Sequence, residues 1–236
     1  MGLAAVCEQY AAEFLGQSAN AVTSVAFVVA GAGMLVARRR SSTRYNASTR
    51  DRQTVVFAVL ASGIGVGSFI QHGPNPDWQA FAHDLPLATV MVFVAVDAVS
   101  DLTGRELPPA YWLIPSVAMV PVVAAGATAS TTAQAALATA AIGLNLVRAR
   151  RHPALRRPLY SALAALAAGA VIGTLSDRTS LCQANSVLPG HAIWHILAAA
   201  ALWRLASAIG AREAPSSGPV RRQFHAGGVP ARRGSP

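Results

Sequence analysis

Residues 54–72 read TVVFAVLASGIGVGSFIQH, an apolar run without a charged side chain until it closes on His72. A helix needs about 20 mostly apolar residues to cross a bilayer, and this run supplies them. It is also broken by Gly63, Gly65 and Gly67, and carries Ser68 one turn before the histidine. Comparable blocks occur at Ser18–Ala37, Asp84–Ser100, Ala110–Ala125, Thr131–Val147, Leu159–Leu175 and His191–Ile209. Together they predict an all-α membrane protein, a bundle of seven transmembrane helices. The fourth and fifth blocks are rich in alanine, and Pro115 and Pro121 interrupt the fourth. Thr, Ser and Gly between them suit a tight turn, so these two read as a helical hairpin.

Composition supports this class. Of 236 residues, 53% are hydrophobic and 12% charged, which excludes an ordinary soluble domain. The net charge of +9 invites a nucleic-acid reading, but no aromatic residues interleave the basic ones. All the basic residues are arginine, and they concentrate in three loops at Arg38–Arg52, Arg105 and Arg148–Arg157 and in the tail, with Arg178 alone on the other side. The positive-inside rule then places the N-terminus outside and the C-terminus in the cytoplasm. Only an odd number of spans satisfies that alternation, which agrees with seven. The cytoplasmic loops would attract anionic lipid.

Arg38, Arg39 and Arg40 follow the first apolar block and no basic residue precedes it, the reverse of a cleaved signal. The block is therefore expected to remain as a span. Residues 1–212 read as the membrane domain. Residues 213–236, rich in Pro, Gly, Ser and Arg, read as a basic, disordered cytoplasmic tail. The absence of lysine and the bias to Ala and Arg point to a GC-rich bacterial genome, and so to a multi-pass protein of the bacterial inner membrane.

Ionisable side chains at membrane depth are expensive and mark working sites. Residues 190–197, GHAIWHIL, place His191 and His195 four residues apart, on one face of a helix. On the expected topology these two, His72, Ser68 and Asp84 all fall in the outer leaflet. Three neutral imidazoles suit zinc, which in catalytic sites commonly takes three protein ligands and lowers the pKa of a bound water toward about 7. His72, His191 and His195 are thus the expected metal ligands. Asp84 is the expected acid–base group, and Ser68 the donor to an oxyanion. The chemistry implied is hydrolysis of an amide or ester that enters from the bilayer.

Other polar residues carry plainer readings. His83, His152 and His225 suit interfacial positions, although His83 adjoins Asp84 and could replace His72 as a ligand. Asp97 is expected to pair with an arginine rather than relay protons. Trp78, Trp112, Trp194 and Trp203 suit interfacial belts. Gly63, Gly65 and Gly67 with Ser68 also suit close helix packing. Cys7 and Cys182 both face outward, where a disulfide is permitted; two free thiols or metal ligands are the alternatives.

These motifs together resemble the alkaline ceramidase family, within the CREST superfamily of seven-span membrane hydrolases and receptors. The likeness is carried by Cys7-Glu8, by Asn20 within Ser18–Phe27, and by Gly65-Val-Gly-Ser68-Phe-Ile-Gln-His72. It extends to Asp84-Leu-Pro, Asp177-Arg178, Leu181-Cys182 and Gly190-His-Ala-Ile-Trp-His195. It implies a zinc-dependent amidase in which His72, His191 and His195 hold the metal and Asp84 and Ser68 flank the reactive water. The family cleaves the amide bond of ceramide to give a fatty acid and a sphingoid base; here the expected substrate is ceramide or a related N-acyl lipid. The resemblance also implies a disulfide between Cys7 and Cys182. Glu8 matches one member of the family's calcium site, while Gln17 and Ser24 depart from it. A different class, a seven-span lipid or signal receptor similar to the progestin and adiponectin receptors, could use the same metal structurally. A transporter would be expected to show repeated halves, and no repeat is evident.

Overall fold

The computed structural model describes residues 7–11, 14–41, 49–179, 182 and 186–211. The tail 213–236, with His225 and its arginines, lies outside the described residues, as do Arg44 and Leu181. The chain is helical: α1 (Ser18–Ser41), α2 (Thr49–His72), α3 (Gln79–Thr103), α4 (Ala110–Ala124), α5 (Ala127–Arg151), α6 (Arg156–Arg178) and α7 (Gly190–Leu205). A short 3-10 turn, Pro153–Leu155, joins α5 to α6. By length and composition four of these, α1, α2, α3 and α6, can cross a membrane, and α4 is a shorter apolar helix.

The seven helices follow the seven apolar blocks, with differences at the ends. α3 starts five residues before Asp84, because Gln79-Ala-Phe-Ala-His83 holds no helix breaker and extends the helix toward its N-terminus. Asp84 therefore lies in the second turn rather than at the helix start. The expected turn between α4 and α5 is very tight: Ala125 and Gly126 suffice, with Gly126 at φ 108°, a conformation open to glycine.

Packing follows a ring. α1 lies between α2 and α7, α2 packs on α3, α3 on α5, and α6 on α7, with α4 laid against α3. Phe27, Met34, Phe57, Ile64, Phe93 and Val94 fill the centre, and Phe57 stacks on Phe93 at 6.1 Å. Small residues set the closest approaches. A Cβ on Gly67 would fall 1.8 Å from the Ala82 carbonyl oxygen and 3.1 Å from His83 Cα. Pro86 explains that contact: lacking an N–H, it leaves the Ala82 carbonyl without its helical partner and free to face α2. Trp112 packs edge-on against Phe93, and Trp194 fills the notch over Gly169 and Gly173. Those two tryptophans serve the packing between helices, whereas Trp78 and Trp203 are exposed.

Polarity is distributed inside out. Val25, Val29, Val59, Val66, Ile114, Val117 and Val171 are exposed, while Asn20, Ser24, Ser68, His72, Asp97, Arg148 and His195 are buried. The buried polar groups gather at opposite ends of the bundle. At one end the Arg148 guanidinium, fully buried, reaches Asp97 at 3.0 Å and Asp101 at 2.5 Å. It also donates to the carbonyls of Ala208 and Ala211, while Gly210 N–H donates to Asp97. Asp97 is thus paired with arginine as expected. Arg148, read from sequence as part of the lipid-facing basic cluster, instead locks the turn after α7 to α3 and α5. A buried charge of this kind persists only when its partners surround it.

Candidate metal centre

The other end of the bundle carries the histidines. The last residue of α2, His72, meets His191 and His195 from the first two turns of α7. The ring centroids of His72 lie 5.1 Å from each of the other two, which are 4.8 Å from one another. One nitrogen from each ring falls within 4.8 Å of the others. Among the described residues this is the one group of three or more His, Cys, Asp or Glu side chains that converges so.

Each ring is oriented from behind through Nδ1. His72 Nδ1 lies 2.5 Å from Gln17 Oε1. His191 Nδ1 lies 3.3 Å from an Asp177 oxygen. His195 Nδ1 lies 3.1 Å from the Asn20 carbonyl oxygen, with Thr23 Oγ1 at 3.2 Å. All three acceptors select the tautomer protonated at Nδ1, so each Nε2 keeps its lone pair. The buried Nε2 of His72 has no hydrogen-bond partner at all. Metal-binding histidines are held in this way, the second nitrogen donating to a carbonyl or carboxylate that fixes ring and tautomer. The three imidazoles could hold a metal ion, and a set of three neutral nitrogens is one that catalytic zinc uses.

Ser68, one turn before His72, is buried with its Oγ 3.3 Å from His195 Nε2. It therefore stands on the side of the trio where a ligand would bind. His72 and His195 are buried, whereas the His191 side chain is 22% exposed and gives the centre its accessible side.

Asp84 makes its hydrogen bonds elsewhere. One oxygen lies 2.7 Å from His83 Nδ1, and the other accepts from Ser130 Oγ on α5 at 2.6 Å. Gln134 donates in turn to Ser130 at 2.9 Å. His83, read as interfacial, is thus tied to Asp84 and is not a member of the trio. His152 approaches Asp101 at 3.8 Å, beside the Arg148 cluster.

Glu8 caps α1. Its carboxylate accepts the N–H groups of Ala19 at 2.8 Å and Asn20 at 3.0 Å, which suits a negative charge at a helix N-terminus. Calcium takes six to eight oxygen ligands, and among the described residues no second carboxylate joins Glu8. Tyr10 donates to the Gln71 carbonyl at 2.6 Å; burial first, and then the Glu8 charge, raises its pKa, so the hydroxyl stays a donor. Cys7 and Cys182 form a disulfide with Cα atoms 5.4 Å apart. Cys7 N–H donates to Asp177 at 3.0 Å, so the bridged segment also steadies the carboxylate behind His191.

The structure therefore gathers His72, His191, His195 and Ser68, and sets Asp84 in a separate hydrogen-bonded chain. Gln17, Asp177, the Asn20 carbonyl, Ser130 and Gln134 were not singled out by sequence for these tasks. No protein-family model and no curated protein matches this chain.

Proposed function

We propose that the protein is a zinc-dependent intramembrane hydrolase that cleaves the amide bond of ceramide or a related N-acyl lipid and releases a fatty acid. The observation that carries this reading is the convergence of three imidazoles, each held from behind at Nδ1. A structural tie between helices would have no use for an accessible side, and His191 supplies one. In this reading all seven helices span the bilayer, the N-terminus faces outward, and the histidines sit under the outer headgroups of a bacterial inner membrane. The basic loops at the cytoplasmic side meet anionic lipid.

His72, His191 and His195 would hold the ion. Bound zinc supplies Lewis acidity and a water that deprotonates near neutral pH. Ser68 donates to the substrate carbonyl oxygen as negative charge builds there. Asp84 belongs to the proton-handling side of the site. Apolar walls around the bundle leave the acyl chain in contact with side chains and lipid.

Purified protein assayed for fatty-acid release from a panel of N-acyl lipids, alongside metal analysis, tests this. Release that depends on zinc is expected. Asp84→Asn should keep its zinc and lose about 10²–10⁴-fold in turnover. Stoichiometric zinc with lipid binding but no fatty acid from any N-acyl lipid would overturn the reading in favour of a receptor.

A further inference from the structure

His83 adjoins Asp84 and stands outside the histidine trio. Its backbone is pressed against α2 at Gly67, the neighbour of Ser68, where Pro86 has freed the Ala82 carbonyl. Its Nδ1 is committed to Asp84 at 2.7 Å. Asp84 is held in turn by Ser130 at 2.6 Å, and Ser130 by Gln134 at 2.9 Å. The His83 side chain is 22% exposed, and that of Asp84 18%. The chain Gln134–Ser130–Asp84–His83 therefore runs from α5 to a histidine whose backbone packs beside Gly67, next to the Ser68 that reaches His195 Nε2.

We propose that His83 is the group that moves the proton during the hydrolysis, with Asp84 positioning it; the proposal rests on the hydrolase reading above. Asp84 accepts the Nδ1 proton and so fixes the tautomer whose Nε2 can take another. The attacking water gives one proton to His83 Nε2 while its oxygen bonds to the acyl carbon. The carbon–nitrogen bond then breaks as His83 Nε2 returns that proton to the leaving nitrogen. The products are the fatty acid and a free amine, and His83 ends as it began. Ser130 and Gln134 keep the second oxygen of Asp84 occupied, so the carboxylate cannot swing away from His83.

The test uses full-length zinc-loaded protein carrying His83→Asn, which keeps a donor toward Asp84 but cannot exchange protons, and His83→Ala. Both should retain the parental zinc content. Their kcat should fall at least about 100-fold with KM within about twofold, and added imidazole should restore part of the kcat of His83→Ala. A parental kcat in His83→Asn would overturn the proposal and leave the hydrolase reading standing. Loss of zinc in either variant would also overturn it, because His83 would then support the metal. So would a kcat loss on which imidazole has no effect, since His83 would then be structural. A parental protein that releases no fatty acid overturns both readings.

Discussion

Gln17 Oε1 sits 2.5 Å from His72 Nδ1, and the same side chain donates from Nε2 to the Glu8 carbonyl. One glutamine thus joins the segment before α1 to the end of α2. Cys7 reaches the histidine trio by a second route, through Asp177 to His191. The described N-terminal residues therefore support the histidine trio from two sides.

Removing that support should loosen the metal without removing a ligand. Gln17→Leu and Asp177→Ala are each expected to weaken zinc binding about 10–100-fold, measured by chelator competition. Unchanged affinity in both would mean that the rings are held by packing alone.

The disulfide should matter for the same reason. Cys182→Ser, or reduction of the parent, is expected to cost about 2–5 kcal/mol of stability and to speed the loss of zinc to a chelator. Thermal unfolding in detergent and metal-release rates check the two effects separately. A stability loss with unchanged release would confine the bridge to a structural role.

At the far end of the bundle, Arg148→Met leaves Asp97 and Asp101 buried without their cation. That should destabilise the protein by about 3–5 kcal/mol while leaving zinc content near one per chain. Replacing all three charges with apolar residues should recover most of the loss. Denaturant titration in detergent reads both, and a neutral Arg148→Met would contradict the arrangement.

Zinc retention should also depend on pH in a fixed direction. Each ligand offers a lone pair only when neutral, so protons compete with the ion. Affinity should rise with pH and fall on acidification, releasing the metal as the imidazoles protonate. Equilibrium dialysis across the acid range measures this, and pH-independent retention would argue against an all-histidine centre.

Much of this was legible in the sequence because hydrophobic blocks and histidine spacing are local signals. The run 54–72 announces a helix by composition, and His191 and His195 announce a shared face by their four-residue separation. The bend at Gly126 was signalled by the glycine itself, while the Thr and Ser residues expected beside it lie within α5. What remained hidden depends on contacts between distant segments. Arg148 looks like any loop arginine until α3 supplies Asp97 and Asp101. Gln17 resembles a lost calcium ligand until the end of α2 arrives beside it. Asp84 stands at the start of an apolar block, so its pairing with His83 and Ser130 needed the extra turns of α3 and the approach of α5. Sequence spacing carries no record of those meetings.

The central claim is that three imidazoles bind one ion, and metal analysis of the purified parent beside His72→Ala, His191→Ala and His195→Ala tests it most directly. The account predicts about one zinc per chain in the parent and a large loss in every variant. A parent that binds no zinc under any loading condition, or variants that all keep it, would contradict the account.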